Sequence, residues 1–381
     1  MDALAAARAS RARLTEDLTA YVELETPSDD PEALTRGLAW ARAYVTTHLG
    51  EPDGVDVTAG APYGDTAVLR YAASNDGTGT IGVLCHYDTV WPLGTLHEWP
   101  VSIDGDRFTG PGAFDMKAGL VQFVHAVRIA REHGMRVPAL TIVLNGDEEV
   151  GSPASRPVIE DAVRGLDAVL VFEASADGAV KTARKGVGLF SVTTTGREAH
   201  AGLDPDRGIS AIDEIARAVL QLHGAADRAA GTSVNVGILS GGSRMNVTAG
   251  HAEAQIDVRV ESESERERID AVLGGLRAEH PDATLTVSGG WNRPIMPRSD
   301  STAALFTEAS NAADELGFSL TEISVGGASD GNFAAALGIP VLDGLGAVGD
   351  GAHARTEWVS IDGMVERTAL AAALLHRLGQ R

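Results

Sequence analysis

Apolar positions along the chain fall into two rhythms. Leu34, Leu38, Ala41 and Val45 recur at helical spacing. Asp30-Pro31-Glu32 stands before them as a start signal, with a side chain that can cap the first turn and a proline where the helix has no use for an N–H. Gly50 ends the run. The segments 81–85, 140–144 and 168–172 are instead short and continuously apolar, the pattern of strands covered on both faces. A helical stretch from Lys117 to about Glu132 separates the first two. Over residues 1–185 this alternation predicts an α/β unit: a mixed, mostly parallel sheet with helices on both faces.

The rhythm changes after residue 185. Strand 188–195 is followed by a helix from about 208 to 223, strands 233–239 and 252–260, a helix from about 264 to 280, and strand 284–288. The order β-α-β-β-α-β is that of a ferredoxin-like α+β domain, which places an inserted domain at 186–295. Residues 296–381 return to α/β character, with helices near 302–316, 332–337 and 361–378 and a strand at 339–342. The expected organisation is a catalytic domain built from 1–185 and 296–381 and interrupted by the insertion.

Composition narrows the function. The chain has 381 residues, a formal net charge of −22 and a single cysteine, Cys85. The acidic balance disfavours nucleic acid and anionic membrane, which require clustered Lys and Arg. One cysteine allows no intrachain disulfide. No run approaches the ~20 apolar residues of a membrane span, and the first twenty residues lack the apolar core of a signal peptide. The expected compartment is the cytoplasm. Cys85 alternates with His86 along its strand and is expected on the opposite face, in the core.

The polar residues gather at one kind of place. His86 and Asp88 follow the run 81–85, Glu148 and Glu149 follow 140–144, and Glu173 ends 168–172. In open α/β sheets the carboxyl ends of the strands form the ligand crevice. Asp115 and His353 sit in the Gly-rich segments Gly110-Pro-Gly-Ala-Phe-Asp115 and Gly349-Asp-Gly-Ala-His353, where glycines let a short side chain reach inward. His86, Asp115, Glu149, Glu173 and His353 can thus act as metal ligands, and mixed imidazole and carboxylate donors suit Zn2+, Co2+ or Mn2+. Five ligands exceed one tetrahedral set. A bridging carboxylate would let them serve two ions ~3.5–4 Å apart. Spacing alone leaves Asp147 and Asp350 open as alternatives.

The motifs His86-Tyr-Asp88-Thr-Val, Gly110-Pro-Gly-Ala-Phe-Asp115-Met-Lys, Asn145-Gly-Asp-Glu148-Glu149 and Ala352-His353 resemble those of a zinc exopeptidase family. That family includes glutamate carboxypeptidases, aminoacylases, and the acetylornithine and succinyl-diaminopimelate deacylases. The resemblance implies that Asp115 bridges two ions, with His86 and Glu149 completing one site and His353 and Glu173 the other. It implies that Asp88 orients His86 and that Glu148 is the general base, moving a proton from the attacking water to the leaving nitrogen. His200, in Gly196-Arg-Glu-Ala-His200-Ala-Gly, resembles a histidine that binds the carbonyl oxygen, in dimeric relatives from the partner subunit. The inserted domain is, in the family, a dimerisation lid, which implies a homodimer.

Arg259 and Asn246 resemble residues that grip a substrate α-carboxylate, a role that suits the planar guanidinium fork. Arg293 and the loop around Gly327 resemble further substrate-lining positions. The resemblance is nearest to glutamate carboxypeptidases, through His86-Tyr-Asp-Thr-Val-Trp-Pro-Leu-Gly-Thr-Leu. It implies a small peptide or N-acyl amino acid as substrate. An N-acyl-amino-acid deacylase, and a non-catalytic metal- or peptide-binding module, are the alternative readings.

Overall fold

The computed structural model describes residues 3–380. Met1, Asp2 and Arg381, which belong to the first and last expected segments, lie outside the described residues. The described residues form two compact units, one of 3–183, 298–325 and 329–380, the other of 184–297 with 326–328.

The first unit is built on a six-stranded sheet. In spatial order its strands are Gly54–Thr58, Thr66–Tyr71, Ala139–Asn145, Thr80–His86, Ala168–Val171 and Val341–Leu342. The last four are mutually parallel, and Thr66–Tyr71 runs antiparallel to both its neighbours, Gly54–Thr58 and Ala139–Asn145. The three apolar runs are therefore adjacent interior strands of the sheet, as their composition requires. Ile81, Val83 and Cys85 face a large core shared with helices Arg11–Val22, Pro31–Leu49, Ala118–Glu132 and Ile361–Leu378. The space beside Gly82 is bounded by Val163 and Leu166, at and just beyond the end of helix Arg156–Val163, on the other face. The expected fold class holds, helices on both faces included.

Local signals account for several boundaries. The Asp30 carboxylate accepts the Ala33 N–H at 2.8 Å, with Pro31 at the first helical position. Such a cap contributes ~1 kcal/mol. Gly50, at φ +83°, ends that helix. Strand 339–342 shortens to Val341–Leu342, because Pro340 has no N–H to place in a ladder. Helices Ala3–Ala9 and Arg11–Val22 have no counterpart among the expected elements, nor do the two antiparallel strands. The same holds for a small sheet made of Ser102–Asp104, Arg107–Thr109, Gly349–Asp350 and Trp358–Ser360.

The second unit is a four-stranded antiparallel sheet in the order Ser233–Gly241, His251–Val260, Gly186–Thr195, Thr284–Arg293. With helices Ala211–Gly224 and Glu263–Gly275 it has the expected β-α-β-β-α-β order. The second helix stops at Gly275 rather than near 280, since Gly274-Gly275 is a poor continuation. The last strand runs on to Arg293 through Gly289, at φ +98°, where a Cβ would lie 2.2 Å from the Leu189 carbonyl oxygen.

Candidate metal centre

Three parallel strands bring three of the ligand candidates to one edge. His86 ends its strand opposite Asn145 of the neighbouring one, four residues before Glu149. Glu173 lies two residues past Val171. Asp115 enters from the distorted turn Ala113–Lys117, whose Asp115 and Met116 are not helical. The helix that follows can approach the Glu173 strand only because Gly119 lacks a side chain, as a Cβ there would lie 1.9 Å from the Phe172 carbonyl oxygen. His353 reaches in from a loop where it adopts φ +61°.

Asp115 stands between two His–Glu pairs. One of its carboxylate oxygens, Oδ1, lies 3.2 Å from His86 Nε2, and that same nitrogen is 3.3 Å from Glu173 Oε1. The other, Oδ2, lies 3.4 Å from His353 Nε2, which is 3.0 Å from Glu149 Oε2. The nearest contacts thus pair Glu173 with His86 and Glu149 with His353. This reverses the division implied by the resemblance, because Glu173 follows the strand paired with that of His86, whereas Glu149 sits on a turn that faces the His353 loop. Ligand atoms of His86, Asp115 and Glu149 also lie within 4.8 Å of one another, as do those of His86, Glu148 and Glu173. Glu148 is therefore at the same centre.

The electrostatics of this cluster suit cations. Burial opposes charge on His86, but the carboxylates of Asp115, Asp88 and Glu173 outweigh it and raise its pKa well above the imidazole range. Asp115 and Glu149 hold His353 protonated up to about 11. Burial and the charge of Asp115 push Glu149 up to about 7. In the protein alone, protonated His86 and His353 offset the charge of the crowded carboxylates, a role that divalent ions would take over. Glu149 Oε1 is buried without a hydrogen-bond partner, which is costly unless something else coordinates it. The donor set therefore fits a pair of divalent ions bridged by Asp115. Asp147 turns away and accepts the N–H groups of Ala154 and Ser155 at 2.8 and 3.0 Å. Asp350 is exposed and closes a local turn onto Gly351.

Asp88 is buried and does more than face His86. Its carboxylate is 3.4 Å from His86 Nδ1, but its own backbone carbonyl is nearer, at 3.0 Å. The carboxylate oxygens accept the backbone N–H groups of Glu148 and Glu149, both at 3.2 Å, and the Ser28 hydroxyl at 2.8 Å. One side chain thus holds the turn that carries the candidate base and a candidate ligand. Asp330 supports the same turn from beneath, accepting Asn145 Nδ2 at 2.7 Å and the Ser152 hydroxyl at 2.5 Å.

Glu357 is absent from the residues singled out by sequence. It is fully buried four residues after His353 and binds the loop that presents Asp115. Its position in Arg355-Thr-Glu357-Trp reads as an ordinary surface charge, and only the spacing from His353 hints otherwise.

The remaining candidates lie in the second unit. His200 is exposed, and its Nδ1 accepts the N–H groups of Gly202 and Leu203 at 3.2 and 3.1 Å. With Nδ1 occupied as an acceptor, Nε2 is the ring nitrogen left to donate. The Ala201 N–H donates to the Asn246 carbonyl at 3.0 Å, so His200 and exposed Asn246 occupy paired segments. Arg259 donates to Asp257 through Nε and Nη2, both at 3.0 Å, and to the Gly326 carbonyl through Nη1 at 3.0 Å. Three of its five N–H donors are engaged, which leaves one on each terminal nitrogen. Arg184 holds the carbonyls of Gly327 and Ala328 at 3.1 and 3.3 Å. Arg293 is buried at the end of its strand.

Residues 82–377 match the model of peptidase family M20/M25/M40. Carboxypeptidase G2 of Pseudomonas sp. (strain RS-16) is 30% identical over 372 residues, covering 95% of this chain and 88% of that protein. Succinyl-diaminopimelate desuccinylase of Cupriavidus taiwanensis is 27% identical over 299 residues, covering 73% and 76%. A tripeptidase structure from Staphylococcus aureus superposes with a TM-score of 0.81 at 20% identity, covering 97% of this chain and 99% of that one, which shows a shared fold.

Proposed function

The chain belongs to peptidase family M20/M25/M40, and from that membership and the arrangement around Asp115 we propose a two-metal hydrolase of glutamate carboxypeptidase type that releases an amino acid with a free α-carboxylate. The coarser statement, a metal-dependent amide hydrolase, follows from the family itself. The observation that carries the finer one is the placement of one aspartate between two His–Glu pairs. The ions we assign there are Zn2+, with Co2+ or Mn2+ as substitutes.

His86, Asp115, Glu173, Glu149 and His353 would hold the divalent ions, which when bound would supply Lewis-acid polarisation of the scissile carbonyl and a lowered pKa for the attacking water. Glu148 takes the proton from the attacking water and returns it to the leaving nitrogen. Asp88 keeps Glu148 in reach by fixing its backbone N–H. His200 offers its Nε2 proton to the developing oxyanion, and, acting as a lid in a homodimer, the inserted unit supplies that histidine to the partner subunit. Arg259 takes the α-carboxylate on its two remaining N–H donors, with Asn246, Arg293 and Gly327 lining the substrate. Residues 3–380 contain no helix long and apolar enough to cross a membrane.

Amino-acid release from a panel of peptidyl and N-acyl amino acids, with a chelator control, tests this reading. Release strongest from acyl-glutamate substrates, and abolished by chelator, is expected. Release mainly from simple acetyl or fatty-acyl amino acids would instead favour an aminoacylase. In the same assay Arg259→Ala is expected to raise KM by ~10–100-fold for free-acid substrates, the loss of a charged hydrogen-bond pair worth ~1.5–3 kcal/mol. An equal change with the corresponding α-amides would remove Arg259 from that role.

A further inference from the structure

Glu357 has an unusual set of partners. Its Oε1 accepts the backbone N–H groups of Phe114 and Asp115, at 2.8 and 3.1 Å. Its Oε2 accepts the Gly112 N–H and the Trp91 indole N–H, both at 3.0 Å. The carboxylate is fully buried, and among the described residues no Lys or Arg forms an ion pair with it. Four N–H donors, three of them from the four residues that end at Asp115, therefore carry its solvation. Such a group is costly to bury and is retained where its geometry is needed.

The chain position gives that geometry a purpose. Glu357 and His353 belong to one loop, which turns back through the Ala354 carbonyl to the Glu357 N–H at 2.9 Å. The loop thus touches the Asp115 segment twice, through Glu357 on its backbone and through His353 on its side chain, at 3.4 Å from Oδ2. Gly351, at φ +87°, and Gly349 allow the close approach. A Cβ at Gly349 would lie 1.9 Å from the Trp358 carbonyl oxygen and 3.0 Å from the Phe114 ring.

We propose that Glu357 is a positioning residue for the dinuclear centre: by clamping the Gly112–Asp115 backbone to the His353 loop, it sets how Asp115 divides its two oxygens between the His86 and His353 sites. This rests on the reading of Asp115 as the bridging ligand. Trp91 completes the clamp and ties it to the segment that follows Asp88. Glu357 acts through Asp115 and touches no substrate.

Co2+ titration of the chelator-treated full-length protein tests this, read by metal content and by the visible absorption of the bound ion. Glu357→Gln keeps the shape but sets an amide NH2 against one pair of donors. Glu357→Asp keeps the charge but shortens the reach by a methylene, and it decides the matter if the glutamine variant does not fold. For wild type, two Co2+ per chain are expected. For the variants, one ion should bind ~10–100-fold more weakly, the usual cost of losing an outer partner, with an altered absorption spectrum. Two ions bound by the variants with wild-type affinity and spectrum would overturn the proposal. A wild-type protein that binds fewer than two ions would remove the bridging role of Asp115, and the proposal with it, an outcome distinct from the previous one.

Discussion

Replacing Glu148 by Gln is expected to lower kcat by ~10²–10⁴-fold, the range for loss of a positioned general acid–base, while both ions remain bound. The side chain keeps its length, and its backbone N–H still donates to Asp88. What it loses is the ability to take a proton from water and hand it to the leaving nitrogen. Ligand atoms of Glu148 lie within 4.8 Å of those of His86 and Glu173, so the same experiment separates base from ligand. Turnover and metal content should be measured on one preparation. Unchanged turnover would remove Glu148 as base, and loss of an ion would make it a ligand.

Replacing Asp115 by Ala should have a still larger effect, because it removes the carboxylate whose two oxygens contact the two histidines. Each ion is expected to bind more weakly by more than the ~10–100-fold that an outer partner costs, and hydrolysis should disappear at metal concentrations that saturate wild type. The variant should fold, since the Asp115 side chain is not part of the core and Glu357 still binds the backbone of residue 115. Metal content by mass spectrometry and thermal unfolding together check this. A folded variant that retains two ions at wild-type affinity would show that Asp115 is not shared between them.

Much of this centre is legible in sequence because it follows from strand ends. His86, Glu149 and Glu173 each lie within about five residues of an apolar run, and the parallel sheet that those runs predict brings them to one edge. The alternation between Cys85 and His86 also suffices to send the cysteine into the core, where it packs. The division of Glu149 and Glu173 between the two histidines is not local information. It depends on the side from which the His353 loop approaches, and therefore on tertiary packing. Glu357 was hidden for a related reason, since its partners, three backbone N–H groups and the Trp91 indole, lie more than two hundred residues away in sequence. Arg259 shows the opposite case. Its position on a strand is plain from sequence, but its bidentate pairing with Asp257 is visible only in the structure and engages two of its five N–H donors. The edge strand Gly54–Thr58 was unreadable because four of its five residues are exposed, which leaves little apolar alternation.

The most direct measurement is stepwise reloading of the metal-free protein with Zn2+, following metal content and glutamate release from an N-acyl glutamate in the same samples. Hydrolysis absent from the metal-free protein and reaching its plateau at two ions per chain is the expected result. Hydrolysis that persists without metal, or that is complete at one ion per chain, would contradict a shared two-metal centre at Asp115.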